Sequence, residues 1–333
     1  MSDDSLLVKD LGEHGLLARL QSFCPSNLVG DDGAILATNP NKSLVVTTDV
    51  LVDGVHFSDR TTSPFDVGWR AAAANLSDLA AMGASPLGIT VGLALPGDRS
   101  VSWVEEVYQG LSACLQSSQT PLVGGDICRS TVTSLAITAL GEVDPAKAIR
   151  RNAARPGDAI LVTGLHGLSR GGLELLLTPS KGESLSPGER GQLITAHQRP
   201  QARLDVLPHL MQIPPEIAIA GMDSSDGLAD AIRQICLASG VGAVIDYQRL
   251  TISSGLLQLA GRKTASEWML NGGEDYELVL CLPPEFASKL VQDLGTNASL
   301  IGHITAPPAI KLVDTSGLIP EEILSINKGF QHF

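Results

Sequence analysis

Apolar and polar positions along this chain switch between two periods, and the switches mark the elements. Leu16, Leu17, Leu20 and Phe23 recur at helical spacing, which predicts a first helix ending near Phe23. Leu44-Val45-Val46 is a short apolar run followed by Thr47-Thr48-Asp49, so it predicts a strand with a polar C-terminal end closed by Asp49. Residues 66–82 read as a helix, because Ala71 to Ala74 favour it and Leu76 and Leu79 continue one face; Gly83 then stops it. A strand follows at 88–95. Val104, Val107, Tyr108, Leu111 and Leu115 form the apolar stripe of a second helix. Strands at Leu122-Val123 and around 134–142 close this half.

Residues 144–158 change character, with Arg150, Arg151, Arg155 and Pro156-Gly157 in quick succession. They predict a junction between two domains, 1–145 and 150–333. The second half opens with a strand at 159–163 and a loop rich in glycine (Gly164, Gly167, Gly171, Gly172). Helices are expected near 173–177, 192–198 and 204–211. Leu228, Ile232, Ile235 and Cys236 mark another, capped by Gly240. Strands are expected at 277–282 and 300–304. This mixed order gives an α/β (α+β) protein of two domains, which suits 333 residues.

Composition narrows the function. Hydrophobic residues make up 44% and charged residues 18%, as in a globular protein, and the formal net charge is −13. That charge argues against a nucleic-acid partner, whose phosphates are met mainly by Lys and Arg. No apolar run approaches the roughly 20 residues of a membrane-spanning helix. The acidic start, Met-Ser-Asp-Asp, shows no secretory signal. Five scattered cysteines without CxxC spacing read as reduced thiols, so a cytoplasmic location is expected.

The acids fall beside small residues. Asp31 and Asp32 lie between Gly30 and Gly33, Asp78 sits inside an apolar helix, and Asp126 follows Gly124-Gly125 at a predicted strand end. Asp223 and Asp226 bracket Ser224-Ser225, and Glu274-Asp275 follow Gly272-Gly273. Singly, most of these are turn or cap chemistry. Asp78 is different, since an acid on an Ala-rich face needs a partner. Together they suit Mg²⁺, a hard cation that takes a few carboxylates with water and substrate phosphate. No lysine lies between Lys42 and Lys147, so this half would meet a polyphosphate through metal ions and a few arginines. A Gly-Lys dipeptide, GxGxxG, HRD, DFG and HExxH are all missing, which removes the P-loop, Rossmann, protein-kinase and commonest zinc-hydrolase readings, and GxSxG is read as missing too.

Six motifs stand in a recognisable order. They are Gly30-Asp31-Asp32-Gly33-Ala34; Thr47-Thr48-Asp49 leading into Asp53-Gly54-Val55-His56-Phe57; and Asn75-Leu76-Ser77-Asp78-Leu79-Ala80-Ala81-Met82-Gly83. Gly124-Gly125-Asp126, Asp223-Ser224-Ser225-Asp226-Gly227-Leu228 and Gly272-Gly273-Glu274-Asp275-Tyr276-Glu277-Leu278 follow. The order resembles the thiamine-monophosphate kinase family of the aminoimidazole ribonucleotide synthetase superfamily, from Gly30 to the C-terminal Lys328-Gly329-Phe330-Gln331-His332-Phe333. The resemblance implies ATP-dependent phosphorylation of thiamine monophosphate to thiamine diphosphate. It also implies a homodimer whose N-terminal sheets join into a barrel, with nucleotide and substrate meeting in a cleft between the domains. By position, Asp32, Thr47, Thr48, Asp49, Asp78, Asp126, Asp223 and Asp226 match magnesium ligands. Tyr108, Gly125, Asp126, Arg151 and Ser225 match ATP contacts, and His56 and Glu274 match substrate contacts. Where the family often carries an aromatic residue against the thiamine ring this chain has Asn327, with Phe330 nearby as the other candidate.

Local sequence offers plainer readings beside these: His56 as a surface histidine, Arg151 as a linker charge, Tyr108 as a core residue. The rival enzyme readings are the aminoimidazole ribonucleotide and selenophosphate synthetases of the same superfamily. The second pairs a reactive Cys with a Lys, and Cys24 has no lysine between Lys9 and Lys42. A calcium-binding scaffold lacks its D-x-[DN]-x-[DN]-G loop.

Overall fold

The computed structural model describes residues 6–29, 32–314 and 322–323. The chain divides into two compact units after Glu142, with Ala80–Ala84 belonging to the second. Among the described residues no helix is long and apolar enough to cross a membrane.

The first unit contains α1 (Val8–Leu20), β1 (Ser43–Val52), α2 (Pro64–Ala81), β2 (Ser85–Leu95), α3 (Val101–Gln116), β3 (Leu122–Arg129) and β4 (Ser134–Val143). Its sheet has the order β1-β4-β2-β3. β2 runs parallel to β3 and antiparallel to β4. Burial alternates along the central strands: Ile89, Val91 and Leu93 of β2 and Leu135, Ile137 and Ala139 of β4 are buried, while the residues between them are half-buried. One face therefore carries the core and the other stays open. The two longest helices of this unit touch backbone to backbone. A Cβ on Gly68 of α2 would lie 1.8 Å from the Val107 carbonyl oxygen, and one on Gly110 of α3 would lie 1.8 Å from that of Phe65.

The second unit carries β5 (Ala159–Thr163), α4 (Leu168–Leu177), α5 (Pro187–Gln198), α6 (Leu207–Leu210), β6 (Ala220–Asp223), α7 (Leu228–Ser239) and β7 (Gly242–Asp246). α8 (Ser254–Asn271), β8 (Leu278–Leu282), α9 (Pro284–Leu294), β9 (Ala298–Thr305), β10 (Ile310–Val313) and β11 (Glu322–Ile323) complete it. Its sheet order is β11-β10-β7-β9-β5-β8-β6, antiparallel except where β10 meets β7. β5 and β8 are buried at every position. Ile160, Val162, Val279 and Cys281 join one apolar cluster, whereas Leu161, Leu278, Leu280 and Leu282 join another. That is why both strands read as unbroken apolar runs rather than as alternation.

Two expectations are corrected. β1 continues to Val52, so Asp49 lies within the strand and not at its end. Asp126 likewise lies inside β3. The physical reason is alternation: in β1 the odd positions from Val45 to Leu51 are half-buried or buried and the even ones are exposed, so a polar Thr-Thr-Asp run extends the strand. In β3 a Cβ on Gly125 would sit 2.1 Å from the Val91 carbonyl oxygen, so glycine there serves close strand approach rather than a turn.

Candidate functional site

In the first unit three of the expected metal ligands gather where β1 faces α2. The Thr47 hydroxyl donates a short hydrogen bond to the Asp78 carboxylate. The Asp49 N–H donates to Asn75 Oδ1 at 3.1 Å, and Asn75 Nδ2 donates to the Ala71 carbonyl at 3.0 Å. Asn75 is fully buried, whereas Asp78 is half-buried on an otherwise buried stretch of α2. The partner that the sequence demanded for Asp78 is thus Thr47.

Thr48 and Asp126 are not brought to that place. The Thr48 hydroxyl shares a hydrogen bond with that of Thr138 at 2.9 Å, and Thr138 pairs with Thr90, which pairs with Gly124. Thr48, Gly124 and Asp126 therefore share the open face of the sheet. β1 and β3 are its opposite edges, three strand spacings apart, about 14 Å at the usual spacing. Asp32 is exposed; Gly30 and Asp31, which precede it in its motif, lie outside the described residues.

His56 stands on the turn after β1. Val52 N–H donates to His56 Nδ1 at 3.0 Å, and His56 N–H donates to the Val52 carbonyl at 2.9 Å. With Nδ1 accepting, the ring proton is on Nε2, which leaves that nitrogen a donor. Arg99 steadies the turn through Asp53 at 3.2 Å, while its guanidinium lies 4.7 Å over the Trp103 ring. Tyr108 is buried in α3, its ring 5.7 Å from that of Phe23, and burial pushes its hydroxyl pKa upward.

In the second unit, β6 ends at Asp223 and leads through Ser224-Ser225-Asp226-Gly227 into α7. Asp223 is buried and accepts from the Ser225 hydroxyl at 3.1 Å. This turn is laced to residues 273–277: Glu274 N–H donates to the Ser225 carbonyl at 2.6 Å, Ser224 N–H to the Glu277 carbonyl at 2.8 Å, and Glu277 N–H to Ser224 Oγ at 3.2 Å. The structure thereby brings together Asp223, Ser225, Asp226 and Glu274. Arg151 is exposed on the surface of this unit and donates to Gln234 of α7 at 2.7 Å. Asn327 and Phe330 lie outside the described residues.

Behind Glu274 sits a polar layer that the sequence reading passed over. Asp275 accepts N–H bonds from Gly167 at 2.6 Å and Ser169 at 3.0 Å, and burial lifts its carboxyl pKa to about 7. Arg203 pairs with Glu277 at 2.6 Å, and Thr163 donates to the same carboxylate at 2.5 Å. The reading of GxSxG as missing is corrected: Gly167-Leu168-Ser169-Arg170-Gly171 has that order, at a strand-to-helix turn.

Among the described residues no three His, Cys, Asp or Glu side chains form a ready-made metal cage. The donors are hard oxygens in ones and twos, which fits Mg²⁺ completed by water and substrate phosphate better than a cation held by protein alone.

Two sheets with these hydroxyl- and carboxylate-bearing turns define the AIR synthase class. The model of the AIR synthase related protein N-terminal domain matches residues 30–143, and that of the C-terminal domain matches residues 155–315. A thiamine-monophosphate kinase of Synechococcus elongatus is 52% identical, over 100% of this chain and 99% of its own length. The solved thiamine-monophosphate kinase of Stenotrophomonas maltophilia K279a is 34% identical with a TM-score of 0.79, covering 89% of this chain and 95% of that one. AaThiL, solved in complex with AMPPCP and TMP, is 34% identical with a TM-score of 0.75, covering 98% of each chain. The chain belongs to the thiamine-monophosphate kinase family.

Proposed function

We propose that this chain transfers the terminal phosphoryl group of ATP to thiamine monophosphate, giving thiamine diphosphate. The observation that carries the reading is its 34% identity, over 98% of both chains, to a protein that holds AMPPCP and TMP together. In this reading Tyr108, Gly125, Asp126, Arg151 and Ser225 serve the nucleotide, and His56 and Glu274 the acceptor. Asn327 and Phe330 remain the candidates for the thiamine ring.

The acceptor atom is a phosphate oxygen, already ionised near neutral pH because its second pKa is about 6. No general base is needed. The obstacle is repulsion: two like charges at about 4 Å cost roughly 4 kcal/mol at an effective dielectric of 20, and several such pairs meet here. Mg²⁺ supplies the charge that offsets this repulsion when bound. Within the first unit Asp32, Thr47, Asp49 and Asp78 would hold such an ion, and Thr48 and Asp126 would offer oxygens on the open sheet face; within the second unit Asp223 and Asp226 would do so. The chain's own part is orientation. Thr47 and Asn75 fix Asp78 and the Asp49 backbone, and His56 offers its Nε2 proton to an anionic oxygen.

A homodimer is part of the proposal. Leu44, Val46 and Val50 of edge strand β1 are 53, 56 and 49% exposed and share the open face. An exposed apolar edge strand is a template for pairing. Edges meeting the opposite edges of a second copy would close the two sheets into a barrel. The five cysteines are free, which suits a reducing cytoplasm.

The test is a competition assay. Purified protein receives Mg²⁺, ATP labelled at the terminal phosphate, and thiamine monophosphate beside the acceptors of the aminoimidazole ribonucleotide and selenophosphate synthetases. Label should accumulate in thiamine diphosphate. ATP consumption with label elsewhere would overturn the reading.

A further inference from the structure

Glu274 is held in an unusual way. Its φ is +57° and that of Tyr276 is +54°, so two side-chain-bearing residues in the left-handed region flank Asp275. Each such residue is strained, and strain persists only where the surroundings over-determine it. Here the surroundings are visible. Asp275 turns inward and caps the first turn of α4 with two N–H bonds. The same turn of α4 carries Ser169, whose hydroxyl shares a 3.1 Å hydrogen bond with His197 Nδ1. His197 Nδ1 stands 3.7 Å from Glu274 Oε2. His197 is 3% exposed and Ser169 1%.

A serine in G-x-S-x-G order, hydrogen-bonded to a histidine beside a carboxylate, invites a hydrolase reading. The geometry denies it. Ser169 is sealed from solvent, and the hydroxyl and the carboxylate both approach the same ring nitrogen, whereas a relay needs one on each. What the arrangement does is locate the Glu274 carboxylate: the backbone is pinned by Ser225 and Asp275, and the head group is backed by a buried imidazole that Ser169 orients.

We infer that His197, oriented by Ser169, is a positioning residue for the Glu274 carboxylate, and that the inward-turned Asp275 sets the backbone that aims it. The inference deepens the proposed function, because it rests on Glu274 meeting the acceptor. Glu274 forms one end of a rigid frame whose other end is the N-terminus of α4, so displacement of the frame is felt first in acceptor binding.

The test is a double-mutant cycle on the full chain, read by steady-state kinetics with Mg²⁺, ATP and thiamine monophosphate. His197→Gln should raise KM for thiamine monophosphate about tenfold and leave KM for ATP within about twofold. In a Glu274→Gln background it should add nothing, since both changes remove the same interaction. Equal rises in both KM values, or the full effect of His197→Gln without Glu274, would overturn the inference. Ser169→Ala gives the same readouts should His197→Gln fail to fold; loss of turnover in Ser169→Ala at saturating substrates would point to a nucleophile and also overturn it. A crystal structure of the His197→Gln chain separates this inference from the function it rests on. A displaced Glu274 side chain supports the positioning role whatever the acceptor, and an unmoved one sinks it. A wild-type chain that makes no thiamine diphosphate fails the proposed function instead.

Discussion

The Glu274 N–H reaches the Ser225 carbonyl oxygen at 2.6 Å, and this bond joins two motifs that lie 49 residues apart in the chain. One motif ends a strand and starts a helix; the other enters the next strand of the sheet. Neither turn could hold its acids without the other, since each satisfies backbone groups that the other leaves exposed. Gly273 completes the fit: its φ is +68°, and a Cβ there would stand 2.8 Å from the same Ser225 carbonyl.

Gly273→Ala should therefore cost about 2 kcal/mol of stability, from the left-handed backbone and the overlap together. Glu274→Asn makes the complementary test. Asn tolerates the left-handed region, so the melting temperature should hold within a degree or two while KM for thiamine monophosphate rises. Calorimetry beside kinetics checks both. A Glu274→Asn chain that melted early but bound normally would contradict the assignment of Glu274 to the acceptor.

Asp49 stands on β1 where that strand faces α2. Asp49→Asn keeps the strand, because the hydrogen bond to Asn75 uses the Asp49 backbone and not its carboxylate. The circular dichroism melt should not change, and kcat should fall by roughly a hundredfold or more, as expected when a charge acting on transferring phosphates is lost. Wild-type turnover with ordinary Mg²⁺ dependence in this variant would remove Asp49 from the metal set.

The acids could be read from sequence because each sits beside glycine, serine or threonine in six motifs that stand in family order; singly, such neighbours are ordinary turn chemistry. Their positions within elements were harder to read. Asp49 and Asp126 looked like strand ends because polarity normally ends a strand, yet Asp126 lies on the open sheet face and Asp49 faces α2, where buried Asn75 takes its N–H. α8 and α9 were missed for a related reason: Gly261 breaks the apolar stripe of α8 with a φ of +69°, and Pro284 opens α9 without a capping side chain. The Arg203–Glu277 and Ser169–His197 partners are separated by tens of residues, and only the folded sheet brings them together.

β1 makes the dimer testable. Val46 is exposed on the open face of an edge strand, so Val46→Asp should leave the monomer folded while blocking a partner sheet. Sedimentation velocity should find the wild type dimeric and the variant shifted to monomer, with activity lost in proportion. A variant that stayed dimeric would place the interface elsewhere.

His166 supplies a pH dependence of known sign. It is buried in the loop before α4, its Nε2 makes no hydrogen bond, and burial pushes its pKa from 6.5 down to about 4. Between those values the unfolded chain takes up a proton that the folded chain refuses, so stability falls as pH drops from about 6.5 to about 4, by about 3 kcal/mol in all. Asp275 works the other way: its folded value, raised from 3.8 to about 7, makes stability fall as pH rises through the same window. The wild-type profile should look flatter than either group alone would make it. His166→Leu removes one slope and exposes the other. Denaturant titrations across this range should show the variant gaining on the wild type as pH falls, and a constant difference between them would mean that His166 takes up its proton in the folded chain as readily as in the unfolded one.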